Sequence, residues 1–244
     1  MAHRGYNVPV RRPGFSRLAA LAASFISGML VMALPALHDA SADPPRSRES
    51  RAAGHCVRQK PQPFMIRGNY LPHPRLHARS LRYRVEEYGR LEGIGPSTNP
   101  HPVTHYLEHT TFLGLPIHIH RRIIPAMRCV EADLQHSCRR SPYQAKAIGG
   151  YRDYNSYRQG EVTNHLFGIA IDIDPQDNPC CGCVDPWPDN PRCKGPAASV
   201  YQRMAMPECW VKVFEKYGFY WLGHDQLQDT MHFEFLGNPD RLGR

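Results

Sequence analysis

The 244-residue sequence predicts an α+β fold: a small antiparallel sheet, helices packed on its other face, and a disulfide-rich insertion. Three observations carry this prediction. "FGIAIDID" (167–174) alternates with period two, placing Ile169, Ile171 and Ile173 on one strand face and Ala170, Asp172 and Asp174 on the other. Trp210, Val213, Phe214 and Tyr217 recur at helical spacing and make one apolar stripe. "FYWLG" and "MHFEFLG" then read as two closing strands.

The elements follow in chain order. Residues 1–42 read as an export signal. Arg4, Arg11, Arg12 and Arg17 form a basic start, Leu18 to Leu37 carries no charge, and Ala40 and Ala42 give an A-x-A cleavage pattern. An uncleaved anchor is the competing reading, which Ser24, Ser27, Gly28 and Pro35 weaken. "VRRPGF" is a poor match to a twin-arginine signal. Residues 43–75, rich in Pro and Arg, read as a linker or an arm pinned by Cys56. The folded domain is expected over 76–244. Leu81, Val85 and Tyr88 fit a helix, although "LRYRV" fits a strand equally well. "GLPIHIH" alternates as a strand, and Ile123, Met127, Val130 and Leu134 predict a helix over about 121–136. "AIGGYR" (147–152) is a short strand and a loop, and 175–196 is a Pro/Gly/Cys loop. "SVYQRM" starts a helical stretch, Pro207 suits the first turn of the next helix, and Gly218 ends it.

Charge and cysteines narrow the setting. Cleavage after Ala42 lowers the net charge from +8 to +5, spread without a Lys/Arg block. Anionic wall or membrane surfaces fit this excess. Nucleic acid does not, since no basic helix and no aromatic-basic interleaving exist. No second apolar run of spanning length follows, so stable membrane insertion is not expected after cleavage. Eight cysteines behind an export signal read as four disulfides in an oxidising compartment, the periplasm or the cell exterior. Cys129 and Cys138 are close enough in sequence to close one small loop. The cluster from Cys180 to Cys193 staples an insertion with little core of its own, structural zinc being the alternative.

The chemistry centres on "NHLFGIAID". Asp172 points away from the isoleucine face, and His165, before Gly168, can fold back toward it. "DTMHFEF" supplies His232 at the start of another strand. Two histidines and one aspartate leave a fourth position open for water, the composition of a catalytic zinc site. The bland alternative is three ordinary hydrogen-bonded side chains in a chain with 14 histidines. His118, His120 and His224 read as surface or hydrogen-bonded residues, Phe233 as core, and Asp174 and Asp177 as turn residues.

"TNHLFGIAID" together with "YGFYWLGHDQLQDTMHFEF" resembles the zinc D-alanyl-D-alanine carboxypeptidase family, which includes VanY-like peptidases and related endolysins. Thr163, His165, Gly168, Ala170 and Asp172 follow its first motif. Asp229, His232, Phe233 and Glu234 follow its second, after Trp221, Leu222 and Gly223. Gly150, Tyr151 and Arg152 match an upstream G-Y-R. Thr163 stands where serine is usual, Leu222 replaces a glycine, and the cysteine loop is long for the family.

The resemblance implies roles position by position. His165, Asp172 and His232 bind zinc. Asp229 is the general base, and Arg152 steadies the oxyanion or a substrate carboxylate. Thr163 hydrogen-bonds substrate, and Glu234 orients a zinc histidine from behind or is simply a strand-face carboxylate. Trp221 is a substrate-contacting residue, the cleft wall or core. The implied activity is hydrolysis of peptidoglycan stem peptides next to a D-residue, in an exported enzyme. The alternatives are an endopeptidase cutting cross-links or L-Ala–D-Glu bonds, and a zinc-containing wall-binding protein without turnover.

Overall fold

The computed structural model describes residues 56–242 except 71, 157–160 and 185–186. They belong to one compact unit, residues 45–244. The expected export signal lies outside the described residues.

Among the described residues, two antiparallel sheets and three α-helices make the fold. The first sheet is a hairpin of β1 (Leu107–Phe112) and β2 (Leu115–His120). The second has four short strands in the order β3 (Ile148–Gly149), β4 (Ala170–Ile173), β6 (His232–Phe235), β5 (Phe219–Trp221). The sequence predicts one small sheet; the second is built on β1, which "LEHTTF" hides because its polar side chains leave it largely exposed.

"LRYRV" is resolved as helix: α1 spans Pro74–Tyr88, with Ser80, Arg84, Val85 and Tyr88 on its buried face. That spacing of four, one and three is helical, and Pro74 supplies a pre-set first turn. Helix α2 (Ile124–Ser137) follows a 3-10 turn at Arg121–Ile123 and buries the expected Ile123, Met127, Val130 and Leu134. Helix α3 (Glu208–Lys216) carries the expected stripe, with Pro207 just outside its first turn and Gly218 just past its end. "SVYQRM" forms one 3-10 turn, Val200–Arg203.

The core lies between α3 and one face of the four-stranded sheet. Phe214 stacks on Phe233 at 4.1 Å and meets Phe219 edge-on at 5.3 Å. Antiparallel partners share a face, so Ile171, Phe233 and Trp221 point together into this core. On the other face Asp172 stands directly beside His232, and Ala170 beside Glu234.

The arm before α1 docks on the domain. Gln59 N donates to Lys216 O, Gln62 N to Leu236 O, and Met65 is buried. Its disulfide runs from Cys56 to Cys129. Cys138 pairs with Cys209, joining the end of α2 to α3. The small Cys129–Cys138 loop does not form. Nine residues of helix separate the two by about 13 Å along the axis, beyond disulfide reach. In the insertion Cys180 pairs with Cys183 and Cys181 with Cys193, so these sulfurs are oxidised and structural zinc there is set aside.

Candidate active site

Each site residue is placed by a specific local structure. Asp172 and His232 are cross-strand partners, so their side chains leave the sheet side by side. On the other flank Asp172 is paired with Gly149, which has no side chain to crowd the carboxylate. His165 sits in a 3-10 turn, Asn164–Phe167, capped at its start by the Thr163 hydroxyl and closed by Gly168 in the left-handed region (φ 63°). A Cβ at Gly168 would stand 2.6 Å from Leu107 Cδ2 and 3.0 Å from His120 N. Glycine is required there for its conformation and for the close approach. The turn is thereby folded back so that His165 meets the strand pair.

The three side chains converge. His232 Nδ1 lies 2.7 Å from Asp172 Oδ1, His165 Nε2 lies 3.1 Å from Asp172 Oδ2, and the two inner nitrogens are 3.1 Å apart. The outer nitrogens are both committed as donors. His165 Nδ1 donates to Gly150 O at 2.5 Å, and His232 Nε2 donates to Glu234 Oε1 at 3.1 Å. That fixes the tautomers: in each neutral ring the inner nitrogen is the lone-pair atom. Lone pairs of two imidazoles and a carboxylate then face one another in a buried space. Only a proton or a cation can sit between them.

In the protein without a cation, burial is opposed by both imidazoles, which hold the Asp172 carboxyl well below the usual range. Burial also works against a charge on His232, but Asp172 and Glu234 push it up to about 10. Burial lowers His165 despite Asp172. One proton is thus held at the point where the three donors meet. A divalent cation would take that position, and the borderline N, N, O set suits zinc.

Two further residues act electrostatically on the cluster. Arg152 Nη2 lies 3.8 Å from Asp172 Oδ2, and its Nε is buried with no hydrogen-bond partner among the described residues. Asp229 has an unpartnered buried Oδ1. Burial, reinforced by Asp172 and opposed by His232, pushes its carboxyl up to about 7. A carboxyl poised there can exchange a proton near neutral pH. Residues 157–235 match the D-alanyl-D-alanine carboxypeptidase family. No curated protein and no solved structure matches the chain.

The matched segment holds His165, Asp172, Asp229, His232 and Glu234, while Arg152 lies just before it. Of the residues expected at the site, the structure brings together those five and Arg152. Two stand apart. Trp221 is fully buried on the opposite face, stacked on Tyr201 at 5.2 Å, with Nε1 donating to Thr230 O. It belongs to the core, with no surface left for a substrate. Thr163 is also fully buried, its hydroxyl spent on the cap of the His165 turn. The bland readings of His120 and His224 hold. His120 is buried with Nε2 on Tyr88 O, and His224 pairs with Glu215.

Sequence reasoning missed the support behind the turn. Arg84, buried in α1, donates to Val162 O at 3.0 Å and to Asn164 Oδ1 at 2.9 Å. It thereby clamps the stretch that enters the His165 turn. An arginine on the buried stripe of a predicted helix was the only available signal. Its partners lie about 80 residues away.

Proposed function

We propose that this chain is an exported zinc metallopeptidase of peptidoglycan stem peptides, acting as a D-Ala-D-Ala-type carboxypeptidase. One observation carries the reading. His165, Asp172 and His232 turn three lone-pair donors onto one point, with both outer imidazole nitrogens already held, on a segment that matches this family. A set of three protein ligands, rather than the four that close a structural site, suits a catalytic centre.

Zinc, when bound at His165, Asp172 and His232, would polarise the scissile carbonyl and lower the pKa of water toward about 7. The chain's own residues do the rest. Asp229 accepts the proton of the attacking water and delivers it to the leaving amine. The Arg152 guanidinium offsets the negative charge that grows on the carbonyl oxygen. Glu234 and the Gly150 carbonyl hold the two imidazoles in their ligating tautomers. A wall-binding protein without turnover has no use for a carboxyl held near neutrality by burial and the donor cluster, or for a guanidinium set 3.8 Å from Asp172. That favours the enzyme.

The test is zinc analysis of the purified mature chain with mass spectrometry of digested peptidoglycan fragments. The expected result is about one zinc per chain and release of a terminal D-alanine, abolished by chelator and restored by zinc. Internal cuts with no terminal release would make it an endopeptidase. A chain with no zinc, and no hydrolysis on adding it, would overturn the reading.

A further inference from the structure

We propose that the Cys180–Cys183 disulfide is a positioning element for Asp229, holding by packing a carboxylate that no hydrogen bond holds at Oδ1. The inference rests on reading Asp229 as the general base. Its starting point is an anomaly: a buried carboxylate usually has its oxygens hydrogen-bonded. Asp229 Oδ1 is buried and finds no donor among the described residues. Its direction must come from the main chain that carries it and from the atoms it packs against.

Both are supplied by the insertion. The Sγ atoms of Cys180 and Cys183 and a carboxylate oxygen of Asp229 lie within 4.8 Å of one another. Cys180 is bridged to Asp229 as an antiparallel partner, and the pairing extends on both sides. Gly182 N donates to Leu227 O at 2.6 Å and Cys181 N to Gln228 O at 3.3 Å. Pro179 O receives both the backbone N–H and the hydroxyl of Thr230. Gly182 permits this approach, because a Cβ there would stand 2.6 Å from Leu227 O. Gln228, just before Asp229, has φ 48°, a conformation unfavourable for a non-glycine residue that persists only where its surroundings enforce it.

The insertion has little else to keep its shape. Cys180 is buried, but the loop that follows is mostly exposed and has only short 3-10 turns. The Cys180–Cys183 crosslink closes the tight turn that faces Asp229. Cys181–Cys193 fastens the outer part of the loop, and its sulfurs are not in the cluster with Asp229. The two disulfides therefore have separable consequences.

The experiment compares Cys180→Ser/Cys183→Ser with Cys181→Ser/Cys193→Ser. It reads kcat, KM, zinc per chain and melting temperature on a peptide ending in D-Ala-D-Ala. The first pair should lose at least about tenfold in kcat, with KM and zinc content unchanged. The second should melt earlier yet keep kcat within about twofold. Gly182→Ala, with every disulfide intact, should repeat the kcat loss by forcing the ladder apart, and it serves if the first pair does not fold. Wild-type kcat in the Cys180/Cys183 pair or in Gly182→Ala, or equal kcat losses in both cysteine pairs, overturns the inference. Asp229→Asn with wild-type turnover overturns the base reading and this inference with it. A dead Asp229→Asn beside a normal Cys180/Cys183 pair overturns this inference alone.

Discussion

The chemistry of the site is decided by which atoms of each residue are already occupied. His232 gives Nε2 to Glu234 and so turns Nδ1 inward; His165 gives Nδ1 to Gly150 and turns Nε2 inward. His232→Ala should therefore release zinc, whereas Glu234→Gln should weaken zinc binding or activity by about 10–100-fold, as measured by competition with a chelating dye. Asp229→Asn should keep zinc and fold but lose about 10²–10⁴-fold in turnover, because Asn is nearly isosteric yet cannot take a proton. Normal turnover in that variant with a dead Glu234→Gln would mean that the other carboxylate is the base. The raised Asp229 pKa also sets a pH dependence. A base must be ionised, and bound zinc would draw the Asp229 pKa below its zinc-free position near 7, so wild-type kcat should rise with pH on a limb lying below about 7. The stability linkage runs the opposite way. A carboxyl raised in the folded state contributes stability below its unfolded pKa and loses it as pH rises through about 7. In zinc-stripped protein, Asp229→Asn should thus raise the melting temperature relative to wild type at pH 8 and much less at pH 5. Equal differences at both pH values would show that burial does not govern this carboxyl.

Elements, not residues, bring the donors to one place. The β4–β6 register sets Asp172 beside His232, and a slip by one residue would send one of them into the phenylalanine core. The 3-10 turn before β4 returns His165 to the same face, and Gly168 makes that turn possible. Gly168→Ala forces a Cβ against Leu107 and the His120 amide in a left-handed conformation. It should destabilise the fold by at least about 1–3 kcal/mol in denaturant titration. Zinc affinity should fall with it, since the displaced segment carries a ligand. Unchanged zinc affinity would mean that the turn is not what places His165. Arg84 contributes at the same scale, since α1 reaches across to hold the Val162–Asn164 stretch.

Across the whole molecule, the disulfides and the proposed metal are independent fastenings. Cys56–Cys129 ties the arm to α2, and Cys138–Cys209 ties α2 to α3, both away from the donors. Each typically contributes about 2–4 kcal/mol. Reduction should lower the melting temperature while zinc stays bound at sub-denaturing temperature. Stoichiometric zinc loss on alkylating the cysteines of a still-folded sample would overturn the assignment of the ligands to His and Asp. Among the described residues no helix is long and apolar enough to cross a membrane. Oxidised cysteines throughout the described fold suit the exported setting proposed for this chain.

The sequence by itself determined what is local and periodic. Period-two alternation marked β4 and separated Asp172 from the isoleucine face, helical spacing marked the stripes of α2 and α3, residue type and spacing singled out His165, Asp172 and His232, and the family resemblance added Asp229. Each of these signals is complete within about ten residues, so no folding information is needed to read it. What depends on distant partners was decided only by the tertiary structure. Two histidines 67 residues apart meet at 3.1 Å, and their outer partners fix which nitrogen faces inward. Trp221 turned out to be core because strand pairing puts it on the face of Phe233, a choice that depends on β6 and not on its own neighbours. Cys129 and Cys138 found partners 73 and 71 residues away because the rigid helix between them holds them apart. The strand–helix ambiguity at "LRYRV" was settled by what its buried face packs against, since a short apolar pattern fits both periods until a partner surface selects one.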